Sequence, residues 1–457
     1  MSSIILGIDI GSTKICAIIA QHDEDSIKIL GAGISKSQGI KKGIITNIES
    51  AAKSIKNAIN DAKRVAGTHY EKVVISISGA YAKSVDSHGV VNVPNKEIGI
   101  KEINRVLQMA NHNANIPNEY EKLHVLPYNF KVDDHSNIDD PLGMNGARLE
   151  ARVHIITVLQ SSLNNLKKAV KSASLEIDNI VLNGYASSIA VLNEDEKELG
   201  VAVIDLGGST SNMIMHLGSA IRYNDFLAVG STNITNDLSI ALNTPTNAAE
   251  RVKIDYGSLI SDSNDVIELP IMGDEKTTHS VSLEIVSNVI FARVEETLLI
   301  LAKSIQDSGF KEQLGAGIVL TGGLVKLDGI RELAVAIFNN MPVRIAKPNE
   351  NNIEGMFDTL KNPEYSTAIG LILYSAGKFT PYEMDSNQQL RYKDATIEPS
   401  RDIKEILGEK DDENLEEEFH LDDIKRKPND DFSILVEDKT SFMGGIKKIL
   451  NRITQLF

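Results

Sequence analysis

A twelve-residue stretch, VAVIDLGGSTSN at 201–212, constrains this chain most, because a shorter version of it occurs near residue 9. It runs from an apolar strand (Val201, Val203, Ile204) through an acid, Asp205, to Gly207 and Gly208. The hydroxyls of Ser209 and Thr210 follow, before Met213, Ile214 and Met215 resume an apolar run. Glycines let backbone N–H groups converge on an anion, hydroxyls add donors, and a carboxylate holds a metal ion through water. Alone, a glycine hairpin ending in Ser-Thr is more often only a turn. The second copy changes that reading. Ile8, Asp9, Ile10, Gly11, Ser12 and Thr13 match 204–210 with one glycine inserted. Two phosphate-type turns this far apart imply two related half-molecules, each supplying one hairpin, with a nucleotide held between them.

The bulk properties fit that picture. A chain of 457 residues has room for two or more domains, and 42% hydrophobic residues suffice for a large core. A net charge of −16 and a pI near 5.2 argue against a broad nucleic-acid surface, which needs a basic patch. The single cysteine, Cys16, precludes a disulfide within the chain and suits a reducing compartment. No charged n-region with a cleavage site is visible, so no signal peptide is expected. No apolar run reaches the ~20 residues that span a bilayer as a helix.

Taken in order, 4–20 reads as strand, phosphate turn, strand, and 28–37 as a third strand before a Gly/Lys-rich loop. Ile48, Ala51, Ala52, Ile55, Ala58, Ile59 and Ala62 recur at helical spacing over 48–65. A short strand at 73–78 completes an α/β half-domain. From about 85 to 157 the rhythm breaks into strands at 90–93, 124–130 and 148–157 and one helix at 101–113, the pattern of a small inserted α+β domain. Asp133, Asp134, Asp139 and Asp140 there read as solvated turns rather than a cation site. His124, His135 and His154 lack metal-ligand spacing, and His154 reads as strand filler. Helices are expected at 163–174, 185–192, 234–242, 248–256, 283–306, 329–338 and 366–375. Strands are expected at 177–182, 317–323 and 343–346, with a hairpin over 266–283.

The tail differs in kind. From 381 to 440 the sequence is charged and weakly periodic, and 411–418 is almost entirely acidic. Such a segment buries too little apolar surface to offset its ordering entropy, so a disordered, self-repelling linker is expected. The chain then reads SFMGGIKKILNRITQLF at 441–457. Phe442, Ile446, Ile449, Leu450, Ile453, Leu456 and Phe457 share one face at helical spacing, flanked by Lys447, Lys448 and Arg452. A basic amphipathic helix of this kind suits a membrane interface with anionic lipid better than docking on a partner.

Two phosphate hairpins, helices between them and a late strand ending in Gly-Gly resemble the actin/Hsp70/hexokinase superfamily. The insertion HGVVNV…HVLPYNFKVDD…IDDPLGMNGARLEARVHIIT narrows the resemblance to the bacterial cell-division actin family FtsA, as do LNEDEKELGVAVIDLGG, ITNDLSIAL and PEYSTAIGLILYSA. The resemblance spans roughly 4–376, and the terminal helix matches that family's membrane-targeting element. It implies an α/β, actin-like ATPase fold: two related halves around a nucleotide cleft, an inserted subdomain 1C and a C-terminal amphipathic helix. The implied division is 1A at 1–84, 161–198 and 361–380, 1C at 85–160, 2A at 199–229 and 311–360, and 2B at 230–310. The linker then covers 381–440 and the helix 441–457.

By the same resemblance, Asp9, Gly11, Ser12, Thr13 and Lys14 clasp ATP phosphates with Asp205, Gly207, Gly208, Ser209 and Thr210, and Asp9 and Asp205 hold Mg2+. Gly322, Gly323 and Lys326, in IVLTGGLVKLDGI, face the adenosine, and Glu250 and Lys253 contact the ribose and base. The physics agrees, since glycines permit close approach and a carboxylate suits ribose hydroxyls. Family members tether FtsZ polymers to the inner face of the cytoplasmic membrane at the division site, self-assemble into filaments and recruit later division proteins. The FtsZ C-terminal tail is expected on 230–310, with Arg293 and Glu296 at matching positions.

Two departures bear on turnover. Ser209 replaces the third glycine usual in the second hairpin, and Asn212 replaces an acid. Hydrolysing relatives place a Gln or Glu about where Asn183 stands. Asparagine cannot act as a base and its reach is short, so slow or absent hydrolysis is expected. Two alternatives are a small-molecule kinase on the same superfamily fold and a pilus-assembly homologue resembling PilM. The first needs an acidic base in a substrate cleft, and the second lacks the terminal helix.

Overall fold

The repeat seen in the sequence is a repeat of topology. A computed structural model describes residues 3–23, 26–218, 220–260, 265–350 and 353–392. The expected helix at 441–457, with Phe442, Ile446, Lys447, Lys448, Ile449, Leu450, Arg452, Ile453, Leu456 and Phe457, lies outside the described residues, as does the linker from 393 on.

In the first half, strand Ser3–Ile10 pairs antiparallel with Lys14–Asp23, which pairs antiparallel with Ser26–Lys36. On its other side Ser3–Ile10 pairs parallel with Lys72–Ile77, which pairs parallel with Asn179–Leu182. The second half repeats this order. Val201–Leu206 pairs antiparallel with Ser211–Leu217, which pairs with Ala220–Leu227. Val201–Leu206 also pairs parallel with Gly317–Thr321, which pairs with Val343–Ile345. One strand, Ile353–Gly355, adds to the first sheet beside Ser26–Lys36. The central strand of each sheet is buried nearly throughout, so it reads as an apolar run rather than an alternating one.

Local chemistry sets the helices. Ile48–Ala66 starts where the Asn47 side chain accepts from the Ser50 N–H, 2.9 Å away. It stops at Gly67, whose φ of 63° is the left-handed cap that favours glycine. Its apolar face (Ile55, Ile59) packs with Gln160–Ser172 on one side of the first sheet, together with Leu6, Ile8 and Ile75. A second core under Leu283–Asp307 joins Ile290 and Leu298 to Leu238 and Leu320. A third joins the halves, with Ile5 and Ile18 of one sheet, Val203 and Val319 of the other, and Ile369 and Ile372 of helix Ser366–Ser375. Each such side chain, fully buried, contributes roughly 1.5–3 kcal/mol. Gly370 lets that helix lie directly on the backbone of Asn183–Val191, where a Cβ would meet the Ala186 carbonyl.

Between Lys72–Ile77 and Gln160–Ser172 the chain forms a separate antiparallel sheet in the order Lys83–Asn92, Arg148–Leu159, Tyr120–Val132, His135–Ile138. Helix Ile100–Asn113 covers it. The acids of this insertion serve as turn acceptors, Asp133 for the Ala147 and Arg148 N–H groups and Asp140 for Leu142. His154 does more than fill a strand. Its ring lies 3.2 Å from Asn224 of the second half and 3.6 Å from Asp86.

One expectation fails. Residues 381–392, assigned to the linker, are packed structure. Met384 exchanges both backbone hydrogen bonds with Val125 of the insertion, at 3.0 and 2.9 Å. Tyr382 stacks edge-on against Phe130, and Gln388 accepts from Asn111 at 2.9 Å. Glu383, fully buried, accepts hydrogen bonds from Tyr185 (2.6 Å) and Tyr374. The Arg391 guanidinium lies over the rings of Tyr374 and Phe379. The charges that suggest a solvated linker are satisfied internally, and the segment straps the insertion to the first half.

Candidate functional site

Strand Ser3–Ile10 ends at Gly11 and strand Val201–Leu206 ends at Gly207, so both hairpins emerge at corresponding edges of their sheets. They meet. Gly208 packs so closely on the Thr13 side chain that a Cβ there would collide with it. The second hairpin is held from behind by helix Ser231–Ala241. Its Ser231 and Thr232 N–H groups donate to the carbonyls of Gly207 and Gly208, at 3.1 and 2.6 Å. The first hairpin is held by the Gly/Lys loop, where Gly43 N–H donates to Ser12 Oγ at 2.8 Å. Ser209 is not among the residues with positive φ, so replacing a glycine there costs no backbone strain.

Between the hairpins lies a cavity of about 440 Å³, within the usual size of a nucleotide or cofactor pocket. Asp9, Gly11, Ser12, Thr13, Lys14, Asp205, Gly207, Gly208, Ser209 and Thr210 all line it. So do Glu250, Lys253, Gly322, Gly323 and Lys326 from the second half. The sequence thus places fifteen residues and the fold brings all of them to one wall or another of a single cleft. Gly322 has φ of 94°, and a Cβ there would run into Asp205 Oδ1 and the Leu206 carbonyl. Arg293 and Glu296 lie elsewhere, on helix Leu283–Asp307, where Arg293 is engaged with Asp237 (3.0 Å between Nη2 and Oδ1) and with Glu296.

The two acids share one electrostatic problem. Burial pushes the Asp9 carboxyl up to about 6; Lys14 and the Ser76 hydroxyl (3.0 Å) oppose the shift, and the charge of Asp205 adds to it. Burial also raises Asp205, against hydrogen bonds from Thr367 (3.1 Å) and Ser187. Two adjacent buried carboxylates reluctant to ionise suit a hard divalent cation. Asn212 Oδ1, also in the cleft wall and buried, has no partner among the described residues and is a further oxygen of the right kind. The donor set is therefore all oxygen, as Mg2+ requires. At the far end of the cleft, Lys253 donates to Glu250 at 2.7 Å and to Thr235 at 2.9 Å.

Sequence reasoning missed Ser231, Thr367 and Glu364, which also line the cleft. Gly230-Ser231-Thr232 carries a signal, since it repeats the Gly-Ser-Thr of the hairpins. Glu364 and Thr367 fall within PEYSTAIGLILYSA, but nothing local in that stretch points them to the cleft: they arrive on the turn Pro363–Tyr365 and the helix Ser366–Ser375, far beyond Asp205 in sequence.

Two sheets of one topology facing each other across a cleft closed by paired hairpins define an actin-like fold. A PilM–PilN type IV pilus biogenesis complex contains a chain with the same fold, with a TM-score of 0.58 at 18% identity, over 81% of this chain and 98% of that one. The family model for cell division protein FtsA matches residues 202–370, and that for the SHS2 domain inserted in FtsA matches 79–157. The cell division protein FtsA of Helicobacter pylori strain 26695 is 39% identical over 99% of both chains. That of Pseudomonas aeruginosa is 37% identical, covering 82% of this chain and 89% of its own length. That of Escherichia coli K12 is 32% identical, covering 81% and 90%. The chain belongs to the FtsA family of actin-like cell-division proteins. Among the described residues no helix is long and apolar enough to cross a membrane.

Proposed function

We propose that this protein binds ATP with Mg2+ and serves as a tether in cell division, attaching FtsZ polymers to the inner face of the cytoplasmic membrane. The observation that carries the reading is the meeting of two hairpins, one from each half, around Asp9 and Asp205. Backbone N–H groups and hydroxyls there suit phosphates, the paired acids suit the metal ion, and Gly322, Gly323, Glu250, Lys253 and Lys326 suit an adenosine. Asn183 lines the cleft where a water-activating acid or amide would stand, and its Oδ1 has no partner among the described residues. It orients water poorly and accepts no proton, so ATP acts as a slow switch or structural cofactor.

The remaining roles follow from the family and the tail. The segment 441–457 inserts its apolar face into the membrane, making the protein peripheral and bound at the division site. The FtsZ C-terminal tail docks on 230–310, at the surface carrying Arg293 and Glu296. The protein self-associates into filaments and recruits later division proteins, and the 1A, 1C, 2A and 2B divisions apply as the resemblance implies.

Co-sedimentation with liposomes containing anionic lipid tests the tether. The full chain pellets and carries FtsZ with it; a chain ending at residue 440 stays in the supernatant yet still binds ATP. Pelleting of the shortened chain to the same extent as the full one contradicts membrane attachment through the tail.

A further inference from the structure

Three lysines line the cleft, and each is already paired with a glutamate that also lines it. Lys253 pairs with Glu250 three residues earlier on the same helix. The other two share one acid. Glu364 lies 3.3 Å from Lys14 and 2.9 Å from Lys326. Lys14 begins the second strand of the first half, and Lys326 ends the turn Gly323–Lys326 in the second half. Glu364 comes from the turn Pro363–Tyr365, which leads into helix Ser366–Ser375. Its neighbours bind the same elements: the Gly322 N–H donates to the Pro363 carbonyl at 3.3 Å, and Thr367 to Asp205. The carboxylate is therefore held in place by its turn, while the lysines reach it on flexible stems.

Lys14 has the Tyr365 ring 3.9 Å below its ammonium and the Glu364 carboxylate beside it. Its buried ammonium makes an ion pair with Glu364 at 3.3 Å. Burial alone would raise the Glu364 carboxyl, but the hydrogen bond from Lys326 and the charge of Lys14 keep it below the usual range. Among the described residues four acids and three lysines line the cleft, and each of those lysines is paired.

We propose that Glu364 is an affinity-setting residue whose carboxylate, shared with Lys326, competes with the nucleotide phosphates for Lys14. The inference rests on the reading of the cleft as a nucleotide site and adds to it a built-in opponent of tight binding. Competition of this kind scales with ligand charge. It weakens ATP most, ADP less and adenosine not at all, and it lets the nucleotide leave again.

The test is equilibrium binding of ATP, ADP and adenosine, each with Mg2+, to full-length wild type and Glu364→Gln, a near-isosteric change at a partly buried site. Glu364→Gln is expected to tighten ATP up to about fivefold and ADP by less, leaving adenosine unchanged. Lys326→Gln, which leaves Glu364 to Lys14 alone, weakens ATP in the wild-type background and changes it far less in the Glu364→Gln background. Matching melting temperatures confirm that both variants fold. Weaker ATP binding by Glu364→Gln, or an equal change for all three ligands, overturns the proposal and assigns Glu364 a positioning role. Wild type that binds none of the three overturns the nucleotide reading itself.

Discussion

Gly322 shows how one residue links backbone conformation to the site. Its φ of 94° is open to glycine and strained for any L side chain, and the space a Cβ needs is filled by Asp205 and the Leu206 carbonyl. Gly322→Ala is expected to lower stability by roughly 1–3 kcal/mol. It also displaces Asp205 and weakens ATP binding, whereas Gly218→Ala, with positive φ but open space around it, costs stability alone. Thermal melting with and without Mg·ATP separates the two; equal ATP-induced shifts in both variants contradict the linkage. At this scale the site was legible where a motif repeats. Asp9 and Asp205 stand in matching hairpins, and each copy supports the other. Glu364 was not legible, because its partners, Lys14 and Lys326, lie 350 and 38 residues away (364 − 14 and 364 − 326). No local spacing encodes such a bridge.

Among elements, the strap 381–392 is the one that periodicity misreads. Glu383 and Arg391 look like linker charges until Tyr185 and Tyr374 come together from distant segments, packed against His124, to receive them. The ring of His124 is kept neutral by burial, its pKa lowered to about 3, and accepts the Leu182 N–H at 3.2 Å. Glu383 is raised to about 7 by burial, with Arg391 and the two tyrosine hydroxyls opposing. The folded protein therefore holds this proton more tightly than the unfolded chain does. The resulting stabilisation is full below the ordinary value of 4.5 and is lost as pH rises through about 7, up to about 3 kcal/mol. Glu383→Gln removes the titration, so its melting temperature falls less than that of wild type between pH 5 and 8. Parallel pH profiles for the two contradict this. The elements that were legible, such as the helices Ile48–Ala66 and Leu283–Asp307, have long apolar faces that no distant partner needs to explain. The strand Ala220–Leu227 went unassigned because its middle, Arg-Tyr-Asn-Asp, resembles a turn. Pairing with Ser211–Leu217 makes it a strand, and it carries Asn224 to His154.

For the whole molecule, duplication explains the site. One strand order, used twice, brings two glycine hairpins to the same place from opposite sides, and a core shared by both sheets closes the cleft behind them. Its two aspartates are buried with raised carboxyls; its lysines are balanced by glutamates; the Asn183 Oδ1 has no partner among the described residues. On the proposed reading, such a cleft holds ATP rather than consuming it. Calorimetric titration of ATP into the full-length protein, with and without Mg2+, followed by phosphate release from the loaded sample, tests this most directly. The expected result is one ATP per chain, bound only with Mg2+, lost in Asp205→Ala and hydrolysed slowly. Absence of binding, or rapid phosphate release that Asp205→Ala abolishes, contradicts it.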